Sequence, residues 1–214
     1  SGRSSTADLY FGASAGIYPY PTQYEGLELL PASGARLRDV EMVRKEEIEA
    51  AVVERMREFL WTPEVAELYK AVVIDTPPAK SPLTRSVLRA ATHVVMPTSM
   101  APLGVEGLYG MLRFYQDEAT RRGRDETPLK LVGILPNMYR RNTRQNREML
   151  ESLRSPDFGL SEYVLESTIG LRTAFEVVTS PGHAPESDFK LPPNDEARRE
   201  AEAACAEIYS KVFE

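Results

Sequence analysis

Cysteine is almost absent. Cys205 stands alone among 214 residues, so neither an internal disulfide nor a cysteine-built metal cluster can form. Histidine is nearly as scarce. His93 and His183 are the only two, which argues against an ordinary zinc centre. No apolar run approaches the ~20 residues that span a bilayer, and no signal peptide is visible. These absences point to a reducing, cytoplasmic setting. Positive charge is in the minority, with a net charge of −6. That speaks against a general nucleic-acid coat, although the distribution of charge matters more than its sum. The pattern Gly-x-x-x-x-Gly-Lys-Ser/Thr does not occur, and neither does any Gly-Lys pair. The first residue is Ser1 rather than Met, which reads as processing, a cloning scar or an excised fragment.

What is present begins with residues 71–78, Ala-Val-Val-Ile-Asp-Thr-Pro-Pro. Four apolar residues ending on an acid predict a buried central strand over Ala71–Asp75. Such a strand delivers one carboxylate to its C-terminal edge, where ligands of open α/β sheets bind. Strand and helix patterns then alternate. Strands are predicted over Leu27–Pro31, His93–Pro97, Lys130–Leu135 (stopped by Pro136) and Val164–Ile169. Helical periods fall over 44–60, after the proline pair, around 108–119, near 143–154, over 171–178 and over 195–213, the last capped by Asn194. Residues 1–26, rich in Gly, Ser, Pro and Tyr, read as an irregular arm. Residues 27–214 read as one α/β domain, a mostly parallel sheet with helices on both faces. The Pro-rich stretch 181–193 is a long loop that could rim a site.

Three segments together resemble one family, the ParA-type (ParA/Soj/MinD) partition ATPases of the deviant-Walker P-loop class. Val72–Pro78 is similar to that family's Walker B strand and turn. His93–Pro97 followed by Leu103-Gly104-Val105-Glu106-Gly107-Leu108 is similar to its next strand and helix. Gly133–Tyr139 with Thr143-Arg144 is similar to its Gly-x-Leu-x-Thr-Met-Tyr…Arg-Thr segment. Leu29–Ala32 and Ile169–Gly182 match more weakly. The resemblance runs in order from about residue 27 to 213. The family's Lys-Gly-Gly-x-Gly-Lys-Thr loop and its Asp-x-Asp-Pro-Gln-Gly segment have no counterpart here. Gly2–Thr6 looks like the residues that follow the latter. The fold implied is therefore P-loop NTPase-like without its first strands.

The resemblance implies roles for particular residues. Asp75 would be the catalytic-site acid and magnesium ligand, with ATP and Mg2+ as cofactors. Thr76 and Pro77, with Pro78, would belong to the turn that senses the terminal phosphate. The same residues also suit a rigid, Asp-capped turn. Asn137 would contact the base, its amide offering both donor and acceptor, or would be a plain turn residue. Arg140, Arg141, Arg144 and Arg147 would track DNA phosphates without reading sequence, with Arg172 a weaker candidate. A solvated helix face is the competing reading, and Asn142 stands where the family has Arg. The arginines at 121, 122 and 124 form a second, diluted cluster. The last helix is too acidic to target a membrane, and Cys205 is expected on its buried face. His183 draws no catalytic role.

The function implied is plasmid or chromosome segregation: ATP-dependent homodimerisation, non-specific DNA binding, and a ParB-type centromere-binding partner, in the cytoplasm at the nucleoid. Backbone amides and lysines carry most of phosphoryl-transfer catalysis. Without that loop, this chain alone is expected not to hydrolyse ATP. Two rival readings remain. One is a natural P-loop-less interaction module. The other is a metabolic enzyme of the same superfamily, such as an amidoligase-type synthetase. The central strand also raises a folding problem, because a sheet without its P-loop strand exposes edges.

Overall fold

The structure, a computed structural model, describes residues 2–12, 16–32, 34–42, 46–178 and 191–214. Ser5 and Asp8 start a helix where the sequence predicts an irregular arm. The Ser5 N–H donates to Asp8 Oδ2 at 2.8 Å, the reach-back contact that satisfies a helix N-terminus. Helix α1 (Thr6–Phe11) follows and buries Ala7 and Leu9. Strand β1 (Tyr20–Pro21) pairs antiparallel with β2 (Glu28–Leu29). The strand expected over Leu27–Pro31 is thus reduced to two residues, and the described part of 1–26 is an ordered part of the fold.

The described residues divide into two compact units. One takes Ser1–Thr92 and Phe114–Pro128, the other His93–Arg113 and Leu129–Glu214.

The first unit is built on helices. Helices α2 (Gly34–Glu41), α3 (Glu46–Leu60), α4 (Pro63–Leu68) and α5 (Pro82–Ala90) follow α1. Thr62 and Ser81 cap α4 and α5, each ahead of a proline at the first helical position, where the missing N–H costs nothing. Ala7, Leu37, Val40 and Leu83 form one buried cluster. Leu9, Met56, Val87 and Ala90 form a second. Arg89 fastens α5 to its surroundings, pairing with Glu54 at 2.7 Å and Glu126 at 2.6 Å. Arg85 pairs with Glu118 at 2.9 Å and also with Glu49.

Ala71–Asp75 is not the central strand that its apolar run predicts. Residues 71–77 join no ladder among the described residues. Val73 is 96% exposed. Only Ile74 packs inward, against the second cluster. A buried strand must have its backbone groups bonded on its flanks. No described residue supplies that neighbour, so the segment lies along the surface.

The second unit holds the parallel sheet. Strand β3 (His93–Ser99) leads through α6 (Pro102–Thr120) to β4 (Lys130–Asn137), which pairs parallel to β3 from His93↔Lys130 to Ser99↔Asn137. The final residues of α6 are counted with the first unit. Pro136 does not stop β4. It lacks a donor, but its carbonyl accepts the Ile169 N–H at 2.9 Å. The segment expected as a fourth strand follows β4 through bridges at Ile134↔Val164 and Tyr139↔Gly170 rather than a continuous ladder. Helix α7 (Arg144–Arg154), two 3-10 turns (Pro156–Phe158 and Ser161–Tyr163), α8 (Thr173–Val178) and α9 (Glu196–Phe213) complete the unit.

Asp195 rather than Asn194 caps α9, its carboxylate accepting the Ala197 N–H at 2.8 Å. The inward stripe of α9 runs through Ala197, Ala201, Ala204 and Ile208. Leu135, Leu165 and Ala204 form the local core. Cys205, one residue off that stripe, is exposed, not buried as expected. The fold is α/β, a parallel sheet with flanking helices. Among the described residues no helix is long and apolar enough to cross a membrane. His183 and the loop segment 181–190 lie outside the described residues.

Candidate functional site

The candidate residues fall into two groups, one in each unit. Asp75, Thr76 and Pro77 belong to the first unit and are all exposed. The Pro77 carbonyl accepts the Ala79 N–H at 2.8 Å, which closes the turn before α5. The Asp75 carboxylate meets no hydrogen-bond or ion-pair partner among the described residues. It stands at the end of an extended segment, open to solvent.

The second group begins where β4 ends. Register pairing places Asn137 beside Ser99 at the C-terminal edge of the sheet. Met138 follows with φ at +52°, a left-handed conformation that costs a bulky residue on the order of 1–2 kcal/mol. The Met138 N–H donates to Asn137 Oδ1 at 2.8 Å, so one lone pair of that side-chain oxygen is already engaged. Tyr139 is tied into the sheet at both its backbone polar groups. Its N–H donates to the Ile169 carbonyl at 3.0 Å, and its carbonyl accepts from Leu171 N–H at 3.1 Å.

The arginines come next. Arg140, Arg141, Arg144 and Arg147 are all exposed. Thr143 starts α7 without a side-chain cap bond. Arg144 pairs with Glu148 at 2.6 Å across one turn, the two side chains 84% and 56% exposed. An exposed pair of this kind contributes little and yields readily to a competing anion. Arg172 is held differently. It pairs with Glu196 and Glu200, each at 2.6 Å. The Glu200 hydrogen bond, ahead of the other contacts, holds its guanidinium above its ordinary value. Two carboxylates therefore more than balance its single charge.

Within the second arginine cluster, Arg122 has a structural task. Arg122 donates to the Leu88, Arg89 and Ala91 carbonyls at the end of α5 and to the Thr127 carbonyl at 2.6 Å. A residue with no expected role joins the site instead. Asn146 is buried, and its Oδ1 accepts the Arg140 N–H at 3.0 Å. Capping patterns join the third helical position to the N-cap residue, here Thr143, not to a residue three before it, so no spacing rule pointed to this contact.

Magnesium with a nucleoside triphosphate would need a carboxylate or hydroxyl for the metal and a cradle of N–H groups and lysine for the phosphates. These residues supply only the metal side, through Asp75. The 214 residues carry no Gly-x-x-x-x-Gly-Lys-Ser/Thr, so they do not fit the whole group, and no catalytic step is derived through it.

A family model described as AAA domain matches residues 15–124, just over half of the chain. The chromosome-partitioning ATPase Soj of Thermus thermophilus is 36% identical over 89 residues, covering 42% of this chain and 34% of Soj. The chain spans less than half the length of the curated relatives it matches. Among solved structures, a cobyrinic acid a,c-diamide synthase from Mycobacterium smegmatis, holding an ATP analogue and magnesium, is 26% identical. It superposes with a TM-score of 0.61, covering 79% of this chain and 65% of that one. The ATP complex of a Cyanothece McdA variant is 12% identical, with a TM-score of 0.74, covering 99% and 76%.

Proposed function

The chain belongs to the AAA domain family and is of the ParA partition-ATPase type, and on that premise we propose that it contacts DNA non-specifically through Arg140, Arg141, Arg144 and Arg147. One observation carries this reading. Four exposed arginines stand in eight consecutive residues, just past the C-terminal edge of the sheet, on a chain whose net charge is −6. Guanidinium groups on a loop and the first turns of a helix suit phosphate oxygens. Arg172 is a minor contributor, because Glu196 and Glu200 neutralise it.

The reading extends to the whole protein as a cycle. Nucleotide-dependent homodimerisation doubles the arginine surface, and a ParB-type centromere-binding protein ends the bound state. The site of action is the nucleoid, in the cytoplasm. Asp75, with Thr76 and Pro77, serves the magnesium side of the nucleotide. The phosphate cradle for such a cycle has to come from residues other than these 214.

The 26% identity to a diamide synthase favours a second reading, a metabolic synthetase of the same fold. DNA binding separates the two. Fluorescence anisotropy with two duplexes of unrelated sequence should give similar affinities, lost on Arg144→Glu/Arg147→Glu. No binding to either duplex at low salt favours the synthetase.

A further inference from the structure

The backbone of Arg140 is fixed at both of its polar groups while its side chain is exposed. Its N–H donates to Asn146 Oδ1 at 3.0 Å, and its carbonyl accepts the Thr143 N–H at 3.0 Å. Met138 and Tyr139 N–H groups are engaged as well, by Asn137 Oδ1 and the Ile169 carbonyl. Every backbone donor from 138 to 140 therefore has a partner. Asn146 itself is 9% exposed. A buried amide is retained at the cost of its desolvation, which its hydrogen bonds must offset. Its contact reaches out of α7, across Thr143, to the residue that opens the arginine loop.

We infer that Asn146 is a positioning residue for DNA binding: it locks the backbone of Arg140 so that the guanidinium is presented to a phosphate already oriented. This rests on the DNA reading above. Binding by a loop that must first be ordered loses affinity to that ordering. Asn146 acts by removing the loss, without touching the nucleic acid.

The test uses the 214-residue chain and two readouts. The first is amide hydrogen exchange. Asn146→Leu, which removes the acceptor and keeps the branched skeleton in a larger side chain, should raise exchange at Arg140 by about tenfold or more, since an engaged donor becomes free. Protection at Val132–Leu135 in β4 should persist. Asn146→Asp, which keeps an acceptor at the same place, should retain the protection and covers the case in which the Leu variant folds poorly. The second readout is the dependence of duplex binding on salt. Asn146→Leu should reduce the slope by about one unit, as should Arg140→Gln. The double variant should bind no more weakly than Arg140→Gln alone.

Unchanged exchange at Arg140 in Asn146→Leu overturns the inference, whatever the DNA data show. Raised exchange with an unchanged slope, where Arg140→Gln does weaken binding, also overturns it. If Arg140→Gln has no effect on binding, the DNA role of Arg140 fails and the inference fails with it.

Discussion

Gly133 packs directly under Leu165. A Cβ at this position would fall 2.8 Å from Leu165 Cγ and 2.9 Å from the Tyr163 carbonyl oxygen. One of those neighbours is backbone, so the clash cannot be relieved by a rotamer change alone. Gly133→Ala should therefore destabilise the fold by about 1–3 kcal/mol, the range for overpacking a core. Urea unfolding of both proteins checks this. An equal midpoint would mean that the 163–165 segment does not sit against β4 as described.

The exposed position of Val73 gives a second prediction. Val73→Lys should change stability by less than ~0.5 kcal/mol, as for an ordinary surface site. Ile74→Ala should cost more, about 1–2 kcal/mol, because Ile74 alone of the run packs on the Leu9–Met56–Val87–Ala90 cluster. If Val73→Lys unfolds the chain, the segment is buried after all.

The N-terminal helix gives a pH prediction. Hydrogen bonds from the Ser5 backbone, and then from Arg36, lower the Asp8 carboxyl from 3.8 to about 2. A depressed carboxyl stabilises the fold above its unfolded value, and that contribution is lost as pH falls from about 3.8 to about 2. Asp8→Asn should lower the melting temperature at about pH 6, and the difference should shrink towards zero near pH 2. A difference that stays constant with pH would show that Asp8 acts through something other than its charge.

Much of the second unit is legible in the sequence because its signals are local. His93–Ser99 and Lys130–Asn137 are apolar runs of strand length, and the helices around them carry clear apolar periods. Pro136 misleads, since a residue without a donor can still lie in a ladder when only its carbonyl is needed. The first unit is harder to read. Ser5-x-x-Asp8 is a capping pattern set among Gly and Tyr, and Thr62-Pro63 caps a helix too short to show a period of its own. Residues 71–75 show the limit most plainly. Val-Val-Ile states a preference for a buried strand, but a strand also needs a neighbour, and whether one is present is not written in the run itself. Among the site residues, the exposure of Arg140, Arg141, Arg144 and Arg147 follows from their type. The pairing of Arg172 with two carboxylates of α9 and the contact between Asn146 and Arg140 are tertiary, and no spacing rule displays them.

Nucleotide binding yields a further expectation. A fluorescent ATP analogue with magnesium should not bind this chain measurably, because the 214 residues offer a metal-side carboxylate without a phosphate cradle. A longer chain that adds a Gly-Lys-bearing loop should bind it, and Asp75→Ala should weaken that binding. Magnesium-dependent binding to the 214-residue chain that is lost on Asp75→Ala would show that other residues hold the phosphates.

The most direct test of the account is the salt dependence of duplex DNA binding, measured for the chain and for a variant with Arg140, Arg141, Arg144 and Arg147 all replaced by Gln. Each phosphate contact contributes a slope of about −0.9 in log K against log salt. A slope of roughly −3 to −4 is expected for the native arginines, alike for unrelated sequences, with near-complete loss of that slope in the variant. An unchanged slope in the variant, or no binding by the native chain at low salt, would contradict it.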